Sequence, residues 1–239
     1  ALSSAASDVY KRQVDDDAVF DYYDMEESSE NTAKVASVFV RQGARSNVLV
    51  NGIVLHNGVT RSNYYSTFDG EHAELSLCGM GIVDKEQSVD TYTYIDHAVS
   101  HCHSNELFKY VLNDSARGSF CGRILVRHGA QKTEAYQGNK NLCASPLAKM
   151  YTKPQLEIYA DYVKCSHGAT IGQLDQNALF YMRSRGITEA EARMLLMFAF
   201  TNDVIEQVRL DALKDRLRQL VEKRFRGELA KCSGCQACR

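Results

Sequence analysis

No apolar run in this 239-residue chain approaches the ~18 residues that a membrane-spanning helix needs. The longest, 194–200, falls inside an amphipathic helical pattern, so no membrane partner is expected. Charge is also nearly balanced, at −2, with no basic stripe, which argues against nucleic acid as the main partner. Proline occurs only at 146 and 154, so breaks in structure are expected mainly from Gly, Asn and Asp. There is no G-x-x-x-x-G-K-[ST], hence no P-loop and no nucleotide bound directly. Cys78-Gly79-Met80-Gly81 lacks the third glycine of a dinucleotide fingerprint, and no G-x-S-x-G elbow occurs. Enzymatic chemistry therefore has no anchor, and a non-enzyme is expected. The eight cysteines follow no regular disulfide spacing and no secretory signal precedes them, which points to reduced thiols in a cytoplasmic compartment.

What is present divides into four stretches. Residues 1–13, ALSSAASDVYKRQ, show no hydrophobic period that connects them to the rest of the chain and read as a non-native leader outside the fold. Residues 14–31 are acidic and aromatic, a solvated strand or loop. From about 32 to 173 short β-branched segments succeed one another: 34–41, 47–55, 73–77, 88–95, 107–112, 120–126 and 133–136. Asn51-Gly52, Asn57-Gly58 and Asp69-Gly70 read as turns between them. Many short strands fit a sandwich, a barrel or a stacked solenoid, and without a self-similar period the pattern leaves all three open. After Asp175, a helix N-cap, the pattern becomes helical. Gly186 closes a first helix, Thr188 with Glu191 forms a capping box for a second, and Leu210, Leu213, Leu217, Leu220 and Val221 line a third. Arg216, Arg218, Lys223 and Arg224 flank that stripe as a solvated face, with a partner docking site as the second reading.

The segment 152–175, TKPQLEIYADYVKCSHGATIGQLD, combines strand pattern with reactive side chains. Leu156, Ile158 and Ala160 alternate with Glu157, Tyr159 and Asp161, and a second short strand carries Val163, Cys165 and His167. Residues two apart share a strand face, which sets the thiol and the imidazole side by side, roughly 6.6 Å apart along the strand. That suits two ligands of one metal or cluster, although a buried thiol beside a hydrogen-bonded histidine has the same spacing. Gly168 and Gly172 are expected to turn the chain before the helix.

Asp96-His97 and His101-Cys102-His103 form a second group, with hydrogen-bonded turn histidines set against a metal role. His72 and His128 stand alone and receive no role, and Cys78, Cys121 and Cys143 read as core thiols. Cys232, Cys235 and Cys238 are spaced C-x₂-C-x₂-C, which begins like a ferredoxin run and supplies a weaker metal candidate.

Together with LFYMRSRGI at 179–187, the 152–175 segment resembles the C-terminal signature of the SufB/SufD family of iron-sulfur cluster assembly proteins. Lys164-Cys165-Ser166-His167-Gly168 stands where the SufB pattern has a Glu-His-Glu run, which favours the SufD branch. Weaker resemblance runs back through Ser119-Phe120-Cys121-Gly122-Arg123-Ile124 to about His97 and forward to about Val208. It implies a mainly β chain: a right-handed parallel β-helix with few residues per turn (14–174), then a small C-terminal α-helical domain (175–231); the Cys-rich tail (232–239) is not part of the SufD pattern and is read from its residues alone. Family members are longer, so the chain is expected to be a C-terminal fragment whose helices cap the open end of the solenoid.

The resemblance further implies a non-enzymatic scaffold subunit of a SufBCD-type complex. It would meet a SufB-like paralogue through the β-helix edge and a SufC-like ATPase through the helices, with a homodimer as the form open to it in isolation. Cys165 and His167 would then serve a transient iron or iron-sulfur cluster shared with the partner. Two other readings stand beside it: a carbohydrate-active parallel β-helix enzyme, which needs paired carboxylates in a groove, and an autonomous metal protein built on the terminal thiols.

Overall fold

The computed structural model describes residues 4–229. Twelve strands alternate between two six-stranded parallel sheets, ordered β1-β3-β5-β7-β9-β11 and β12-β10-β8-β6-β4-β2. Each strand thus pairs with the next but one in sequence, which is a parallel β-helix of about six turns. The strands are β1 (Ser4–Val14), β2 (Val19–Glu27), β3 (Thr32–Gln42), β4 (Asn47–His56), β5 (Val59–Phe68) and β6 (Glu74–Val83). They continue as β7 (Ser88–His97), β8 (His103–Leu112), β9 (Arg117–Val126), β10 (Glu134–Cys143), β11 (Lys149–Ile158) and β12 (Lys164–Gly172).

Asn47 stands beside Glu74, Glu74 beside His103, His103 beside Glu134 and Glu134 beside Lys164, so one turn consumes 27 to 31 residues in this sheet. That is more than the few per turn implied by the resemblance. The varying turn length is also why no fixed period shows in the sequence.

Two expectations about the chain's early part do not hold. Ser4–Val14 is not outside the fold, since it pairs along its whole length with β3. Asn51-Gly52 is not a turn but the middle of β4, where a Cβ on Gly52 would lie 2.0 Å from the Tyr64 hydroxyl. Gly168 and Gly172 likewise belong to β12 rather than to a bend.

The corners use few glycines. Asp17, Arg45, His72, His101 and Lys132 occupy one corner of successive turns, each with φ between 54° and 60°. Lys85 and Asp114 do the same at the opposite corner. These left-handed residues let the chain turn sharply, and the tight corner hands backbone N–H groups to the next turn. Arg45 donates to Glu71 O at 2.9 Å and His101 to Gln131 O at 2.9 Å.

Inside the helix, alternate residues of the two sheets interdigitate around Val38, Val50, Phe68, Leu75, Phe108, Phe120 and Ile124. The second sheet is buried on its outer face as well. Leu49, Ile53, Leu55, Met80 and Ile82 pack against Val204, Ile205, Leu217, Leu220 and Val221 of the helices. Such two-sided burial explains the near-continuous apolar runs of β4 and β6.

Three helices complete the described chain: α1 (Gln176–Ser184), α2 (Glu189–Glu206) and α3 (Asp211–Phe225). Asp175 caps α1 by accepting from Asn177 N and Ala178 N, and Thr188 caps α2 by accepting from Glu191 N. Gly186, at φ +87°, terminates α1 as expected. The helices do not cap the open end of the solenoid. They lie along its side, across the outer face of β4, β6 and β8. No helix among the described residues is long and apolar enough to cross a membrane.

Candidate functional site

Because the helices lie on the side, the last turn stays uncovered. Among the described residues β11 and β12 each have a neighbour on one edge only, which leaves their outer backbone groups open to another strand. Tyr151, Tyr159, Tyr162 and Ile171 are each more than half exposed on this turn, and Phe180 and Tyr181 of α1 are exposed beyond it.

Cys165 and His167 sit on β12 at this open end. Cys165 is level with Ala135, packs on the interior core and is half-buried. Burial raises its thiol above the usual cysteine value, and the Ala135 backbone N–H pulls it back only in part. The thiol is therefore protonated at neutral pH, and a cation that binds it must displace the proton. His167 is exposed and level with Gln137.

The row to which His167 belongs continues inward through residues that gave no motif. Gln137 is level with Glu106 on β8, and its Nε2 donates to Glu106 Oε2 at 2.7 Å. The amide fits because β9 has glycine opposite: a Cβ on Gly122 would lie 2.4 Å from Gln137 Nε2. Glu106 Oε1 and Gln137 Oε1 are sealed from solvent without a hydrogen-bond partner among the described residues. Burial pushes the Glu106 acid up to about 7, with polar contacts from Thr93 and Gln137 opposing. The only sequence signal for this row is the recurrence of polar residues at 106, 137 and 167, visible once the turn length is known.

The second group named from the sequence comes apart. His97 is buried, stacks on Phe68 with ring centroids 4.5 Å apart and bonds Ser104 Oγ through Nε2 at 2.9 Å. Burial lowers it to about 3, so it is neutral. Asp96 forms a two-pronged ion pair with Arg127 at 2.6 and 2.9 Å. Cys102 is buried with its sulfur on Gly70 O, and His103 faces Glu134 at 3.8 Å. His101 instead meets His72, the residue given no role, with ring centroids 4.8 Å apart.

Cys78 is a core thiol, pushed up to about 12 by burial, while Cys121 and Cys143 are half-buried. Cys232, Cys235 and Cys238 lie outside the described residues. The expected solvated basic face of α3 is corrected at Arg224, which is buried against β4 and β6.

A parallel β-helix flanked by helices, whose last described strand is uncovered and carries a thiol and an imidazole, places the chain among the stacked-sheet, parallel β-helix proteins. Residues 2–200 match the SufBD core domain of the SUF system for FeS cluster assembly, and the chain belongs to that family. The match reaches back to the first strand, well beyond the segment whose resemblance is legible by eye.

Among relatives, the iron-sulfur cluster assembly protein SufD of Escherichia coli is 38% identical over 174 residues, 73% of this chain and 41% of its own length. An iron-sulfur cluster assembly SufBD family protein of Synechocystis is 38% identical over 192 residues, 80% of this chain and 42% of that protein. The Arabidopsis thaliana protein ABCI7, chloroplastic, is 32% identical over 201 residues, 83% and 42% respectively. The chain thus spans about two-fifths of the length of these curated relatives.

Proposed function

We propose that the chain is a non-enzymatic, SufD-like scaffold that presents Cys165 and His167 as two of the ligands for an iron ion or nascent iron-sulfur cluster, the remaining ligands coming from a partner. The observation that carries this reading is the placement of a thiol and an imidazole on β12, the one strand of its sheet at the open end. A thiolate and an imidazole are donors that iron-sulfur chemistry uses, and two leave a cluster incomplete. The cluster or iron is cargo here, held until passed on.

The partner that fits the edge is another parallel β-helix, a SufB-like paralogue, whose terminal strand would continue the ladder while the exposed tyrosines close the interface. In isolation a second copy of this chain would occupy the same edge. The helices, fixed to the side of the solenoid, are the surface for a SufC-like ATPase. Reduced thiols and the SufD relatives favour the cytoplasm of a bacterial-type cell.

Cys165→Ala and His167→Ala test the site in the complex co-expressed with its paralogue and ATPase. Neither side chain carries core packing beyond a half-buried thiol, so thermal stability and complex recovery are expected within ~1 kcal/mol of the parent. Cluster yield, read by the visible absorption of anaerobically purified complex, is expected to fall at least ~10-fold in the double variant. Undiminished yield with normal assembly would reject the pair as ligands. Because the Cys165 thiol must lose its proton, iron loading by the parent is also expected to rise as pH increases, and this dependence should be weakened in Cys165→Ala.

A further inference from the structure

We propose that Glu71, His72 and His101 form a surface site for a first-row divalent transition-metal ion, separate from the β12 edge. The two histidines are 29 residues apart in sequence but hold the same corner position of successive turns, each at φ 60°. Side chains at this corner reach from one turn to the next, as the Arg45 and Asp17 ion pair at 2.6 Å shows two turns earlier. At the later turns the ladder sets imidazole against imidazole, with centroids 4.8 Å apart and planes 32° from parallel. Glu71 precedes His72 and brings a carboxylate to the same place. One ligand atom from each of the three lies within 4.8 Å of the others.

Donors that bind one such ion at 2.0–2.2 Å stand about 3.5 Å apart in a tetrahedral shell. The group is therefore about 1 Å wider than a closed site, a gap that rotation of two exposed side chains closes.

Three further observations favour a metal over a simple stack. His101 Nδ1 is sealed from solvent and has no hydrogen-bond partner among the described residues, so a ring lone pair or N–H of this histidine is unsatisfied. Ser100 Oγ donates to Glu71 Oε1, a contact of the kind by which outer groups orient metal ligands. Finally, Cys102 is turned away, its sulfur on the Gly70 and Ser100 carbonyls, so the donor set is two imidazoles and a carboxylate without a thiol. That set suits Zn²⁺, Fe²⁺, Co²⁺ or Ni²⁺ rather than Mg²⁺ or Ca²⁺, and leaves at least one coordination position to water.

The test uses the full chain with Cys165, Cys232, Cys235 and Cys238 replaced by Ser, so that no thiol of the β12 edge or the tail competes. After chelator treatment, Zn²⁺ is titrated calorimetrically and Co²⁺ by its visible bands. One equivalent is expected to bind. His72→Ala, His101→Ala and Glu71→Gln are each expected to weaken it by about 10-fold or more, Ser100→Ala by less, and His103→Ala not at all. Glu71 and His72 are exposed, so their variants retain the fold, checked by circular dichroism. Absence of binding in the parent lacking those four thiols, or affinity unchanged in His72→Ala and His101→Ala, would overturn the assignment. Failure of the β12 reading shows separately, in cluster yield, which Glu71→Gln, His72→Ala and His101→Ala leave at the parent level when made with Cys165 and the tail thiols intact.

Discussion

Arg224→Ala is expected to destabilise the protein by about 3–5 kcal/mol and to loosen α3 from the side of the solenoid. The guanidinium is 8% exposed and directs its donors to β4, β6 and the corner after β6: Leu55 O, Asp84 Oδ2 at 2.8 Å, Gln87 Oε1 at 3.2 Å and Ile82 O at 3.4 Å. Burial alone would raise the Asp84 acid, but the hydrogen bond and charge of Arg224 outweigh it and hold Asp84 below the usual aspartate value. Removing the arginine leaves a partly buried carboxylate unpaired beside three acceptors without this donor, which costs more than the pair itself contributes. The surrounding apolar contacts of Leu217, Leu220 and Val221 would then be lost as α3 opens.

Urea midpoints at pH 7 measure the loss, and hydrogen exchange locates it, with faster exchange expected in α3 than in β6 or β8. Asp84→Asn in the Arg224→Ala background should restore part of the stability, because it removes the stranded charge. A midpoint shift worth less than ~0.5 kcal/mol would mean that the helix is held by its apolar face alone.

Arg224 also shows where the sequence was and was not readable. Its neighbours Arg216, Arg218 and Lys223 fit a solvated stripe, and helical period alone put Arg224 with them; only the position of the helix against β4 and β6 reveals four acceptors in reach. Strand β5 was missed for a related reason. Its inward residues include Thr60, Ser62 and Ser66, so polar side chains stand on the buried face and the usual alternation is inverted. Asn51-Gly52 carried a hairpin signal, but the side-chain amide of Asn51 is used to reach Val204 O on α2 at 3.3 Å.

By contrast, the shared strand of Cys165 and His167 is legible in the sequence because local spacing fixes it. The pairing of His72 with His101, and of His167 with Gln137 and Glu106, depends on which residues share a turn height. Turn length varies by several residues from one turn to the next, so that information is not local.

Glu106→Gln is expected to change how stability depends on pH, by an amount that grows to about 3 kcal/mol at pH 8. The folded-state pKa of Glu106 is raised to about 7, above the 4.5 of an unperturbed glutamic acid. Between these values the folded protein keeps a proton that the unfolded chain has released. Stability from this group is therefore fully present below pH 4.5, falls as pH rises, and is lost above pH 7.

His97 acts in the opposite direction. Burial lowers it from 6.5 to about 3, so between pH 3 and 6.5 the unfolded chain holds the extra proton and stability rises with pH. Across pH 4.5–6.5 these two contributions run in opposite directions, so the parent's own curve isolates neither. The informative quantity is the difference between variant and parent. Glutamine keeps a polar partner for Gln137 Nε2 but carries no charge, so Glu106→Gln should match the parent near pH 4 and exceed it increasingly above pH 5. With the falling component removed, the variant's own curve should expose the histidine's rise.

A difference that stays flat from pH 4 to 8 would show that Glu106 ionises as freely folded as unfolded. The interior row behind His167 would then be open to water rather than a sealed polar seam. The expected result instead makes that seam a charge-free backing for the donor pair up to near-neutral pH.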